Sequence, residues 1–137
     1  MILGIGTDIV DARRIQAAMD RHPNKFAKRI FSDAEITAAK ESSNQASYFA
    51  KRFAVKEAVY KALSSSGVPG CGWLEAETLS APNGAPMINL IGRCKTALET
   101  MTPDGYKAGL SVSLSDEPPY ALAFIVISAV PAEWIKP

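Results

Sequence analysis

Phe53, Glu57 and Lys61 stand four residues apart within RFAVKEAVYKAL, residues 52–63. At 3.6 residues per turn they fall on one stripe of a helix, so an aromatic ring, a carboxylate and an ammonium share a face. The stripe runs on into Ser64, Ser65, Ser66 and Gly67, which add hydroxyls and loop N–H groups. Such a set can hold a divalent metal and phosphates together. Mg²⁺ takes one or two carboxylates and completes its shell with phosphate oxygens and water. A plainer reading competes with this one. Glu four residues before Lys is the favourable ion-pair order on a helix surface and yields roughly 0.2–0.5 kcal/mol without any ligand. Lys56 points about a hundred degrees away from Glu57 on an ideal helix and fits the stripe less well.

A second carboxylate closes the run MILGIGTD. Met1–Asp8 is short, apolar and punctuated by Gly4 and Gly6, which reads as a strand ending at Thr7-Asp8. An acid where a strand leaves its sheet can face a cleft, and Asp8 with Glu57 would give Mg²⁺ two oxygens. The competing reading makes Asp8 or Asp11 the N-cap of the next helix. Gly4-x-Gly6 is not a dinucleotide fingerprint, because Ile9 occupies the third glycine position. No phosphate-binding P-loop pattern occurs. The single histidine, His22, excludes a His-rich metal site and argues against a Ser-His-Asp triad.

Charge is concentrated. Residues 13–29 carry Arg13, Arg14, Arg21, Lys25, Lys28 and Arg29 against Asp20 alone, in a chain whose net charge is +1. That patch implies an acidic partner or a phosphate ligand. Nucleic acid fits poorly, since Phe26 and Phe31 are the only aromatics nearby.

The elements that must position these residues follow from pattern. Ile15 and Met19 mark a weak amphipathic helix over 11–21, ended at His22-Pro23-Asn24. Ser32 and Glu35 form a capping box, which predicts a helix from Asp33 to about Glu41. Another helix is predicted from Gln45 to Ser64, then a loop to Gly72. Strands over 74–80 and 87–91 flank Pro82-Asn83-Gly84 as a hairpin. Arg93–Met101 reads as a short helix. Leu110, Val112 and Leu114 alternate with serines as a half-buried strand. ALAFIVISAV, residues 121–130, is nearly continuous in apolar residues and predicts a strand covered on both faces. Helices first and antiparallel strands after argue an α+β fold, N-terminal helices packed on a mainly antiparallel sheet.

The chain has 137 residues, 47% hydrophobic and 21% charged, which suits one globular domain over 1–137. A core of that size makes self-association plausible. Cys71 and Cys94 stand in no metal or disulfide pattern and read as reduced thiols of a cytoplasmic protein. The N-terminus lacks the features of a signal peptide, and the longest apolar run, Tyr120–Val130, is too short to span a bilayer as a helix.

Taken together, GIGTDIV, the following Arg14-Ile15, RFAVKEAVYKAL and the late VSLSDEPPYALAFIVI resemble the holo-[acyl-carrier-protein] synthases, small bacterial 4′-phosphopantetheinyl transferases. The resemblance covers essentially the whole chain. It implies Mg²⁺-dependent transfer of 4′-phosphopantetheine from coenzyme A to a serine of an apo acyl carrier protein, with release of adenosine 3′,5′-bisphosphate. It implies Asp8 and Glu57 as metal ligands, with Lys61 beside them as catalytic groups. Arg52, Phe53, Lys61, Ser64, Ser65, Gly67 and Pro86 would bind coenzyme A. Arg14, Arg21 and Lys25 would meet the acidic carrier. The base that takes the serine proton stays open among a metal-bound water, Glu57 and Asp8. A homotrimer in the cytoplasm, with sites between subunits and serving lipid synthesis, is the assembly it implies. Three positions depart from the family's pattern: Ser64–Gly67 where a GTG-like loop is usual, Ala85 in place of a lysine, and Asp116 in place of a histidine. The rival from another class is a non-catalytic basic helix that binds an acidic protein or nucleic acid.

Overall fold

A computed structural model describes residues 1–136. In chain order the elements are β1 (Ile2–Asp11), α1 (Ala12–Arg21), α2 (Lys25–Ile30), α3 (Asp33–Lys40), α4 (Gln45–Ala62), β2 (Ala76–Ser80), β3 (Pro86–Leu90), α5 (Gly92–Met101), β4 (Tyr106–Glu117) and β5 (Tyr120–Pro131). Three strands form an antiparallel sheet in the order β1-β5-β4, and β2-β3 form a separate hairpin. The α+β expectation holds.

α4 is the axis of the core. Ala50, Ala54, Val55, Ala58 and Val59 are fully buried on it, against Ala123, Ile125 and Ile127 of β5. Burial of this apolar surface, at about 25 cal/mol per Å², is what holds helix to sheet. The expected capping box forms: Glu35 N donates to Ser32 Oγ at 3.2 Å and Ser32 N donates to Glu35 Oε1 at 2.9 Å. The β2-β3 hairpin also forms, with Ser80 opposite Pro86 and Gly84 at φ 84° in its turn.

Two expectations change, and one pair of alternatives is resolved. β1 continues to Asp11, so Asp8 lies inside the strand rather than at its end. Asp11 is the cap of α1, its side chain accepting from Arg13 N at 2.9 Å; Asp8 is free of that duty. β5 is covered on one face alone. Ala121, Ala123, Ile125, Ile127 and Ala129 turn toward the core, while Tyr120, Leu122, Phe124 and Val130 are exposed. A continuous apolar run reports two apolar faces, but within the described residues α4 covers just one of them.

Candidate active site

Asp8 reaches α4 because β1 carries no side chain where the two backbones meet. A Cβ on Gly6 would overlap the carbonyl oxygen of Ala58, and one on Gly4 that of Ala62. Ala54, Ala58 and Ala62 supply the matching small, buried stripe on α4. The two glycines are therefore a close-approach device. Side chains alternate along a strand, so Asp8, two residues past Gly6, points to the same helix-facing side. Its cross-strand partner on that side is the fully buried Ala123.

Lys61 meets Asp8 there. Its Nζ donates to Thr7 O at 2.9 Å and to Asp8 Oδ1 at 3.1 Å. Glu57 Oε1 instead accepts from the indole Nε1 of Trp73 at 2.7 Å. The simple Glu57–Lys61 surface pair does not form, because each side chain has a partner on another element. A cleft of about 480 Å³ opens beside them, lined by Asp8, Glu57, Phe53, Arg14 and Arg21, with Phe26 on its apolar wall. Two carboxylates from different elements, two guanidinium groups and two aromatic rings thus share one surface.

The other candidates lie apart from that wall. Arg52 is 6% exposed; it stacks over the Tyr48 ring at 4.5 Å and donates to Ser80 Oγ at 3.2 Å, while its buried Nε has no partner among the described residues. Pro86 is opposite Ser80 in the hairpin, so Arg52 and Pro86 mark a second locus. Ser64 and Ser65 belong to a 3₁₀ turn just beyond α4, closed by Gly67 at φ 73°. The Ser64 hydroxyl donates to Lys61 O at 2.7 Å, which caps the helix end. Lys25 is exposed at the start of α2 and does not line the cleft. Asp116 pairs with Lys51 at 3.5 Å.

Lys56, the weaker candidate on the stripe, is not open to a phosphate. Its ammonium is fully buried, and its three donors go to Glu35 Oε1 at 2.9 Å, Trp73 O at 2.8 Å and Ala76 O at 3.0 Å. Burial lowers its pKa below the ordinary lysine range, and Glu35 opposes that shift. Glu35 is equally buried and also accepts from Thr78 N at 3.1 Å. The capping box was legible in sequence, but its burial under α4 was not. Trp73 was missed as well; its signal was an aromatic in a stretch otherwise read as turn, Gly70-Cys71-Gly72-Trp73. Cys71 and Cys94 are free thiols lining one small cavity with Lys56, Glu57 and Trp73, and burial pushes the Cys94 thiol up to about 12.

Among the described residues no three His, Cys, Asp or Glu side chains cluster as a metal site. Two hard carboxylates on one cleft suit an ion that draws its remaining ligands from phosphate and water, which is the habit of Mg²⁺. The donor set fits that ion and no all-protein cage.

The model of the 4′-phosphopantetheinyl transferase superfamily matches residues 4–123. The chain belongs to that superfamily. The holo-[acyl-carrier-protein] synthase of Methylorubrum extorquens is 42% identical over 131 residues, covering 96% of each chain. The crystal structure of the Neisseria meningitidis holo-[acyl-carrier-protein] synthase superposes with a TM-score of 0.80 at 33% identity, over 93% of this chain and 99% of that one. The Helicobacter pylori synthase, solved in complex with coenzyme A, gives 0.72 at 31% identity, over 90% and 99%. This transferase is therefore an enzyme of the holo-[acyl-carrier-protein] synthase kind, with the family's α+β fold. That decides against the non-catalytic basic-helix module. No helix among its described residues is long and apolar enough to cross a membrane.

Proposed function

We propose that this transferase moves 4′-phosphopantetheine from coenzyme A to a serine of an apo acyl carrier protein, with Mg²⁺, releasing adenosine 3′,5′-bisphosphate. One observation carries the chemistry: Asp8 of β1 and Glu57 of α4 line a single cleft, with Lys61 on Asp8. Asp8 and Glu57 are the residues that would hold the metal. Mg²⁺ bound there supplies charge neutralisation for the pyrophosphate and for the leaving bisphosphate. Lys61 adds a cation to the same phosphates. The carrier serine oxygen forms a bond to the β-phosphorus as the bond to the bridging pyrophosphate oxygen breaks. The electron pair leaves with the bisphosphate, and the serine proton passes to a cleft carboxylate or to water. Such a displacement needs alignment and neutralised charge more than covalent help.

Arg52, Phe53, Ser64, Ser65, Gly67 and Pro86 are the proposed coenzyme A contacts. Arg52 is supported by its stacked guanidinium with a free buried Nε. Arg14 and Arg21, at the cleft, and Lys25, on the neighbouring α2, offer cations to an acidic carrier. Residues 1–137 are read as one domain. The homotrimer is supported by the uncovered apolar face of the sheet, where Ile9 stands opposite Leu122 and Thr7 opposite Phe124. A cytoplasmic place in lipid synthesis accords with two free thiols.

The test is a mass measurement. Incubation with coenzyme A, Mg²⁺ and an apo carrier should add one phosphopantetheine to the carrier. Glu57→Ala and Asp8→Ala should each abolish the gain while unfolding like wild type. No gain with several carriers would refute the activity, and wild-type rates in both variants would refute the metal ligands.

A further inference from the structure

Trp73 stands where the buried interior meets the cleft. Its carbonyl oxygen accepts from the Lys56 ammonium at 2.8 Å, its indole N–H donates to Glu57 Oε1 at 2.7 Å, and its ring lies 6.1 Å from that of Phe53. Backbone, ring and N–H are each fixed, although the residue sits in a short turn outside the main elements. The Lys56 ammonium that holds the turn is itself anchored by Glu35. A continuous chain of contacts therefore runs from a buried ion pair to the carboxylate at the cleft.

An unrestrained glutamate samples many rotamers, and ordering it costs conformational entropy. A hydrogen bond from N–H to a charged oxygen is of the stronger kind. With Oε1 tied to the indole, the other oxygen, Oε2, is left for a ligand. Carboxylates that ligate metals are oriented by such partners, whose loss lowers metal affinity about 10- to 100-fold. We propose that Trp73 is a positioning residue whose indole N–H holds Glu57 in the rotamer that presents a carboxylate oxygen to the divalent cation. This rests on the reading of Glu57 as a metal ligand, and it adds that the affinity of this chain for the ion is set by a residue that never touches it.

Two substitutions separate a donor from a packing role. Trp73→Phe keeps an aromatic ring beside Phe53 and removes the N–H. Trp73→His loses the larger ring but keeps an N–H, because the imidazole can overlay the five-membered ring of indole with Nε2 at the position of Nε1. Mg²⁺ is titrated calorimetrically into each variant with coenzyme A present, and its half-saturating concentration is read in the transfer assay alongside the carrier KM. Trp73→Phe is expected to weaken Mg²⁺ about tenfold or more, Trp73→His to restore much of the loss, and the carrier KM to stay unchanged. Wild-type Mg²⁺ affinity in Trp73→Phe, or Trp73→His weaker than Trp73→Phe, overturns the proposal. Glu57→Ala separates the two readings. If it loses Mg²⁺ while Trp73→Phe keeps it, the positioning role alone falls; if it binds Mg²⁺ like wild type, the ligand reading falls and the positioning role with it. A measurement on the unaltered protein guards against variants that fail to fold. The Nε1 proton of Trp73 should exchange slowly in NMR with and without Mg²⁺, and rapid, solvent-like exchange overturns the hydrogen bond.

Discussion

Two lysines on α4 each meet a carboxylate, and the two pairs differ in nearly everything else. Lys56 and Glu35 are 2.9 Å apart with both side chains fully buried. Lys61 and Asp8 are 3.1 Å apart with side chains 52% and 19% exposed. Every donor of Lys56 is matched by an oxygen inside the protein, so the pair has nothing to offer a ligand. Lys61 keeps donor capacity and faces solvent, where water or phosphate can replace either of its partners. Identical chemistry five residues apart is thus closed to any ligand in one case and open to one in the other, and burial decides which.

The largest effect should come from breaking the buried pair. Lys56→Met is nearly isosteric but leaves the Glu35 carboxyl without its cation in the interior. Removing one partner of a buried pair costs about 3–5 kcal/mol, dominated by the stranded charge. Denaturant unfolding measures it. A loss below about 1 kcal/mol, the size of a surface pair, would erase the contrast between the two lysines.

Lys61→Met sharpens the same comparison from the other side. The open pair should contribute less than about 1 kcal/mol, so the unfolding midpoint should barely move. Transfer, by contrast, should slow on the order of a hundredfold if the ammonium stabilises charge on the reacting phosphates. Unfolding and steady-state kinetics on one preparation separate these outcomes. A large stability loss with intact kcat would make Lys61 a second structural pair.

Local pattern made much of this visible. The four-residue spacing of Phe53, Glu57 and Lys61 put them on one helix stripe, and helix geometry turned Lys56 off it. Strand alternation in β4, the hairpin and the capping box were all legible, since each depends on neighbours in sequence. What was not legible depends on partners distant in sequence. Gly4 and Gly6 read as punctuation until Ala58 and Ala62 were found behind them. Trp73 gained a role only when Glu57, sixteen positions away, came within hydrogen-bond reach. α2 was missed because its six residues are mostly charged or aromatic and no side chain caps it at Asn24. The exposed half of β5 was misjudged because an apolar residue carries no record of whether its cover belongs to the same chain.

The smallest effect belongs to a third pair, Asp11–Arg13, which extends the comparison to the exposed limit. Asp11 takes the Arg13 guanidinium at 2.7 Å and the Arg13 N–H at 2.9 Å. Those bonds lower its carboxyl pKa below the ordinary 3.8. A carboxylate whose folded pKa is depressed stabilises the fold above its unfolded pKa, and the contribution fades as pH falls through the folded value. Asp11→Asn keeps an oxygen to cap α1, and Asn caps about as well as Asp, so the charge alone is removed. The variant should melt slightly below wild type at neutral pH, with the difference shrinking in salt and vanishing well below pH 3.8. Thermal melts at both pH values test this. A difference that survives in acid cannot come from the ionised carboxylate and must reside in the cap, which would separate the geometry of the residue from its charge.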